Sequence, residues 1–196
     1  MRRRRLPAAT QRPRLRIPVA PDAPMSLSFS QDAVPALSRA LGQLRHVLRK
    51  GHAHAEAQGW DPAVLLAMRL APDMFPLTRQ VQIATDMAKN AVGRLSGGEA
   101  PKFEDDETTF EALDARLKRA IDYLDSVPAE AFDGAEARPI VVSTRSRGDL
   151  HFIGRDYLFG WVLPNVHFHC TTAYALLRHA GVPLGKADYL GPAGQG

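Results

Sequence analysis

One cysteine, Cys170, is all that the 196 residues contain. An internal disulfide is therefore excluded, and the usage fits the reducing conditions of a cytoplasmic protein. Long apolar runs are missing too. None approaches the ~18–20 residues that a membrane-spanning helix requires, so no membrane partner is expected. There is no internal repeat, and no low-complexity tract beyond residue 24. Basic charge is also scarcer than the pI of about 9.5 suggests. Residues 1–24 hold seven arginines and one aspartate, while the remainder has 18 basic against 20 acidic residues. The segment expected to fold is mildly acidic, so the high pI does not argue for a nucleic-acid surface.

Residues 1–24 are rich in arginine and proline and show no hydrophobic period, which predicts a disordered extension. Arg2, Arg3, Arg4 and Arg5 lack the apolar segment that would follow them in an export signal. The plainer reading places the translation start at Met25. Residues 25–191 are read as one folded domain, with 192–196 as a flexible tail.

Within that domain, apolar residues recur at three- and four-residue steps in four stretches, the signature of helices with one buried face. The first stretch carries Val34, Leu37, Leu41, Leu44 and Leu48, begins near Ser30 to Asp32, and runs as far as Gly59. A turn at Trp60, Asp61 and Pro62 and a short connector over 63–70 follow. The second is the most regular, with Met74, Leu77, Val81, Ala84, Ala88, Ala91 and Leu95, opened by Pro72 and Pro76 and closed by Gly97 and Gly98. A loop over 96–107, pinned by Phe103, leads to the third. There, Thr108, Thr109, Phe110 and Glu111 form a capping-box pattern before Leu113, Leu117, Ala120, Ile121 and Leu124. Asp114 and Lys118 read as an exposed pair at helical spacing. Residues 139–153 turn β-branched around a turn-like tip and predict a hairpin, with Arg145 and Arg147 solvated near the tip.

The stretch over residues 161–185 carries the most chemically suggestive side chains. Leu163, Val166, Cys170, Ala173, Tyr174 and Leu177 make its apolar stripe, and Gly181 with Pro183 ends it. Cys170 on that stripe reads as buried and inert. Asn165 and His169 are four apart and share a face, and Thr172 continues the flank. His167 points elsewhere, toward solvent. Pro164 removes a backbone donor and frees the carbonyl of Gly160. On the second helix the polar groups beside the seam are Gln80 and, seven residues earlier, Asp73, for which a first-turn dipole role is the alternative. His52 and His54 diverge on their helix and do not form a metal pair.

The runs LAPDMFPLTRQVQIATDMAKN, PKFEDDETTFEALDARL, and DYLFGWVLPN through FHCTTAYALLRHAGVPLGK resemble a bacterial domain-of-unknown-function family within the DinB/YfiT-like superfamily, whose members are grouped with metalloenzymes. The resemblance covers residues 25–191. It implies an all-α fold, a DinB-like four-helix bundle with a short β-hairpin between helices 3 and 4. It also implies a divalent metal, zinc or nickel, held by three histidines, one on helix 2 and two on helix 4. Some members of the superfamily resemble thiol-dependent transferases or isomerases, and a homodimer is a frequent arrangement.

This chain departs from that pattern. The helix 4 pair maps to Asn165 and His169, and helix 2 has no histidine, offering Gln80 or Asp73. Carboxamides are weak ligands for zinc and nickel. Two readings follow. In one, Asp73, Gln80, Asn165, His169 and Thr172 line a polar pocket between helices 2 and 4 that binds a small ligand at a degenerate metal site. In the other, His169 is a metal ligand or general base of a divalent-metal-dependent enzyme, a transferase, isomerase or hydrolase.

Overall fold

The computed structural model describes residues 29–192 except residue 145. The expected extension over 1–24, the tail beyond Pro192 and the tip residue Arg145 lie outside the described residues. A π-helical turn over Phe29–Ala33 leads into α1, Val34–Gln58. The short α2 (Pro62–Ala67) precedes α3 (Leu77–Ser96) and α4 (Phe110–Ser126). Strands β1 (Pro139–Thr144) and β2 (Gly148–Ile153) follow, then the single turn α5 (Gly154–Asp156), α6 (Leu163–His179) and α7 (Lys186–Leu190). Among the described residues, no helix is long and apolar enough to cross a membrane.

The four long helices pack on one core. Leu37, Leu41 and Leu48 of α1, Leu77, Val81 and Ala88 of α3, Leu113, Leu117 and Leu124 of α4, and Val166, Ala173 and Leu177 of α6 are all buried. Small residues on α3 let α6 approach closely, and Gly51 does the same for α1, since a β-carbon there would stand 2.8 Å from Leu177 Cδ2. The contacts also give the directions. Gln80 meets His169 and Arg94 meets Tyr157, so α3 and α6 are antiparallel. Ser38 meets Asp125 and Arg45 meets Asp114, so α1 and α4 are antiparallel. Gly51 and Leu177 place the ends of α1 and α6 together. It follows that α3 and α4 run the same way, and their connection must travel back along the full length of the helices.

That crossover is fastened by one buried arginine. Arg116 of α4 is fully enclosed. Its guanidinium reaches Glu107 at 2.9 Å, Asp105 at 3.1 Å, Asp86 of α3 at 2.9 Å and the carbonyl of Glu104 at 2.9 Å. Phe103, expected to pin the loop, does so from within a ring of cations: Lys89, Arg116 and Arg119 lie 5.2, 5.3 and 4.5 Å from its centroid.

Several local expectations change in detail. Helix α3 starts at Leu77, not near Met74: Pro76 is its extended N-cap residue, and the proline ring disfavours helical backbone at Phe75 before it. Only half of the capping box forms: Thr109 is the cap and accepts from the amide of Ala112, so Glu111 stands one position too early to close it. Asp114 does not pair with Lys118. Arg45 and Arg49 of α1 claim it at 2.6 and 2.8 Å, and Lys118 turns to Asp122. Partial burial works against the Asp114 carboxylate, yet those two guanidiniums hold its pKa below the ordinary value. The hairpin forms as expected, with Ile140 opposite Phe152 and both Ile140 and Val142 facing the core.

Candidate functional site

Helix α6 enters through a π-helical segment, Tyr157–Val162, in which the amide of Leu163 bonds the carbonyl of Leu158, five residues back. Pro164 sits where this wide register returns to α, so its missing amide falls at a point where the ladder is already broken. The carbonyl that gains a side-chain partner is that of Trp161, not Gly160: Asn165 Nδ2 donates to it at 2.6 Å.

Of the five residues expected to line a pocket, the structure joins Gln80 and His169 directly. His169 Nδ1 lies 2.7 Å from Gln80 Oε1, and Gln80 Nε2 donates to the carbonyl of Phe75 at 2.9 Å. The second bond fixes the carboxamide, since the flipped amide would set two oxygens against each other. The oxygen then faces the imidazole, so Nδ1 carries the hydrogen and Nε2 the lone pair. Among the described residues Nε2 has no hydrogen-bond partner, and no fully enclosed side-chain nitrogen or oxygen lacks one, so Nε2 retains access to solvent.

His169 is 8% exposed. Burial, with the positive charge of Arg79 nearby, pushes its pKa down to about 4, so the imidazole is neutral at physiological pH. The half-exposed Phe168 ring meets it edge-on at 5.2 Å. Arg79 is itself held by Gln82 at 3.1 Å and by Asp105 of the crossover.

The other three stand apart from this pair. Asn165 is one turn earlier on the same flank, but its amide is committed to Trp161. Thr172 is buried and its hydroxyl donates to the Phe168 carbonyl at 2.7 Å. Asp73 lies on the exposed turn before α3, not on the helix flank, because α3 begins four residues later. His167 is exposed as expected, and its Nδ1 lies 3.2 Å from the Tyr189 hydroxyl of α7. His52 stacks on Phe110 and His54 meets Trp60 edge-on. Cys170 is enclosed and burial pushes its thiol up to about 12, which makes it unreactive.

These residues do not fit a divalent metal. The oxygen of Gln80 is occupied by Nδ1, so the donors left are His169 Nε2 and the weakly ligating Oδ1 of Asn165, two where three or more are needed. Among the described residues no group of three His, Cys, Asp or Glu side chains stands close enough to share an ion. Reading the sequence missed Arg79 and the role of the Phe75 carbonyl, for which spacing carries no signal. It also missed Arg116, although the acidic run at 104–107 and an arginine in phase with Leu113 and Ala120 were both visible.

A family model for a domain of unknown function, DUF1993, matches residues 29–190. Among curated proteins there is no match. A crystal structure of a DinB family member protein from Shewanella denitrificans is 40% identical, covers 83% of this chain and 92% of its own, and superposes with a TM-score of 0.75. The family model spans most of the chain and the solved relative carries the same fold at substantial identity, so this protein belongs to the DinB-like DUF1993 family.

Proposed function

We propose that the four long helices form a DinB-like four-helix bundle, spanning residues 25–191, whose α3–α6 face binds a small organic molecule at a degenerate metal site. The ligand donates a hydrogen bond to Nε2 of His169. The observation that carries this reading is the bond from Nδ1 to Gln80, locked by Gln80 to Phe75. It presents a neutral, oriented acceptor beside the exposed face of Phe168, a setting suited to an uncharged donor with an apolar body. Asn165 and Thr172 shape the walls from four and three residues' distance along α6, and Asp73 stands at the rim, on the exposed turn that leads to Phe75 and α3. The buried single cysteine supports a cytoplasmic setting, and a homodimer is testable by sedimentation.

The test is a ligand-observed NMR screen of small phenols, alcohols and amides against the protein and its His169→Ala variant, alongside elemental analysis. Expected are binders that the variant loses and no stoichiometric metal. Near-stoichiometric zinc or nickel that disappears in the variant would overturn this reading in favour of a divalent-metal-dependent enzyme.

A further inference from the structure

A polar cleft of about 530 Å³ opens between the latter half of α3 and the crossover at residues 98–104. It is distinct from the His169 pair. Arg94 on its wall is fourteen residues beyond Gln80, about 21 Å along the helix at 1.5 Å per residue. Gly93 determines how closely the crossover lies on α3 here. A β-carbon at that position would stand 2.8 Å from the amide nitrogen of Ala100.

The charges in the cleft are unevenly matched. Lys89, only 6% exposed, meets Asp86 at 3.2 Å and Asn90 at 3.0 Å, but Asp86 also serves Arg116. Arg94 donates to the Tyr157 hydroxyl at 2.9 Å and lies over that ring at 5.9 Å. Burial raises the Tyr157 pKa, so the phenol stays neutral and offers the guanidinium no countercharge. Among the described residues neither Arg94 nor Lys102 has a carboxylate partner. A half-buried guanidinium, held in place and lacking a counterion, leaves most of its forked donors free in a polar cavity, and such a group favours an oxyanion. Glu99 and Glu104 are exposed on the rim, which disfavours long polyanions.

We propose that this cleft binds a small molecule bearing a carboxylate or phosphate, with Arg94 as the bidentate anchor and Lys89 and Lys102 adding charge. The experiment uses the full chain, titrated separately with inorganic phosphate and with acetate at constant ionic strength in chloride, and followed by amide chemical shifts. Saturating shifts at Lys89, Ala100 and Phe103 with either anion are expected, and the stronger of the two names the ligand class. Arg94→Gln should weaken binding at least tenfold and Arg94→Lys by less, while His169→Gln leaves it unchanged. Linear, non-saturating shifts with both anions, or unaltered binding in a folded Arg94→Gln protein, would overturn the proposal. If Arg94→Gln fails to fold, Arg94→Lys decides: binding equal to that of the original chain refutes the bidentate anchor.

Discussion

Gln80 Oε1 stands 2.7 Å from His169 Nδ1 across 89 residues of chain, a polar bond that joins α3 to α6. Replacing Gln80 by Leu leaves a buried imidazole donor unpaired, which costs about 1–3 kcal/mol. Replacing both Gln80 and His169 by Leu removes donor and acceptor together, and most of that loss should return. Urea unfolding of the two single variants and the double variant tests the coupling. Simply additive losses would show that the bond contributes nothing beyond packing.

The acidity of His169 makes a second prediction. Its folded pKa, about 4, lies below the ordinary 6.5. The unfolded chain therefore takes up the proton first. This part of the stability is complete above about pH 6.5 and declines as pH falls through 4, by about 3 kcal/mol in all. Unfolding midpoints measured between pH 7 and pH 4 should fall less steeply in His169→Gln than in the original chain. Identical slopes would rule the histidine out as the titrating group.

Arg116 is surrounded by Glu107, Asp105 and Asp86, and Glu107 is itself almost enclosed. Arg116→Met strands these carboxylates and should cost about 3–5 kcal/mol. Hydrogen exchange should quicken first at residues 97–109, ahead of the helices. Uniform quickening across the molecule would mean that the crossover is held by something else.

Glycines give a matched pair. At Gly154 a β-carbon would stand 1.8 Å from the carbonyl oxygen of Ala135, and backbone cannot yield as a side chain can. Gly154→Ala should destabilise by about 3 kcal/mol or more. Gly42, within α1, has no heavy atom within 4 Å of the same position. Gly42→Ala should stabilise by about 0.5–1 kcal/mol through helix propensity. Thermal melts of the two variants suffice, and shifts of the same sign would contradict the geometry.

The helices could be read from the chain because burial of leucine and alanine at a 3.6-residue period is a local pattern. Val81, Ala84, Ala88 and Ala91 announce their own face without reference to any partner. The meeting of Gln80 with His169 was also anticipated, since polar groups on two apolar stripes have few other places to go. The partners of charged side chains were not. Asp114 sits four residues from Lys118, yet Arg45 and Arg49 reach it first, because parallel and antiparallel neighbours are decided by packing across the chain. Asp73 was misplaced for a nearer reason: the helix begins only after Pro76, about one turn later than its hydrophobic period suggested. Pro164 marked a broken ladder near the π-helical segment, but nothing in the composition told which form the break takes.

That segment governs phase. A π turn is one residue longer than the α turn it replaces, and each helical residue rotates the chain by about 100°. Deleting a single residue between Tyr157 and Val162 would convert the wide turn to an α turn that sweeps nearly the same angle, so Tyr157 and Leu158 would keep facing the interior and Arg94. The half of the helix bearing His169 would keep its own bearing. A one-residue deletion is therefore absorbed at this joint, whereas the same deletion inside α6 would turn its two halves about 100° against each other.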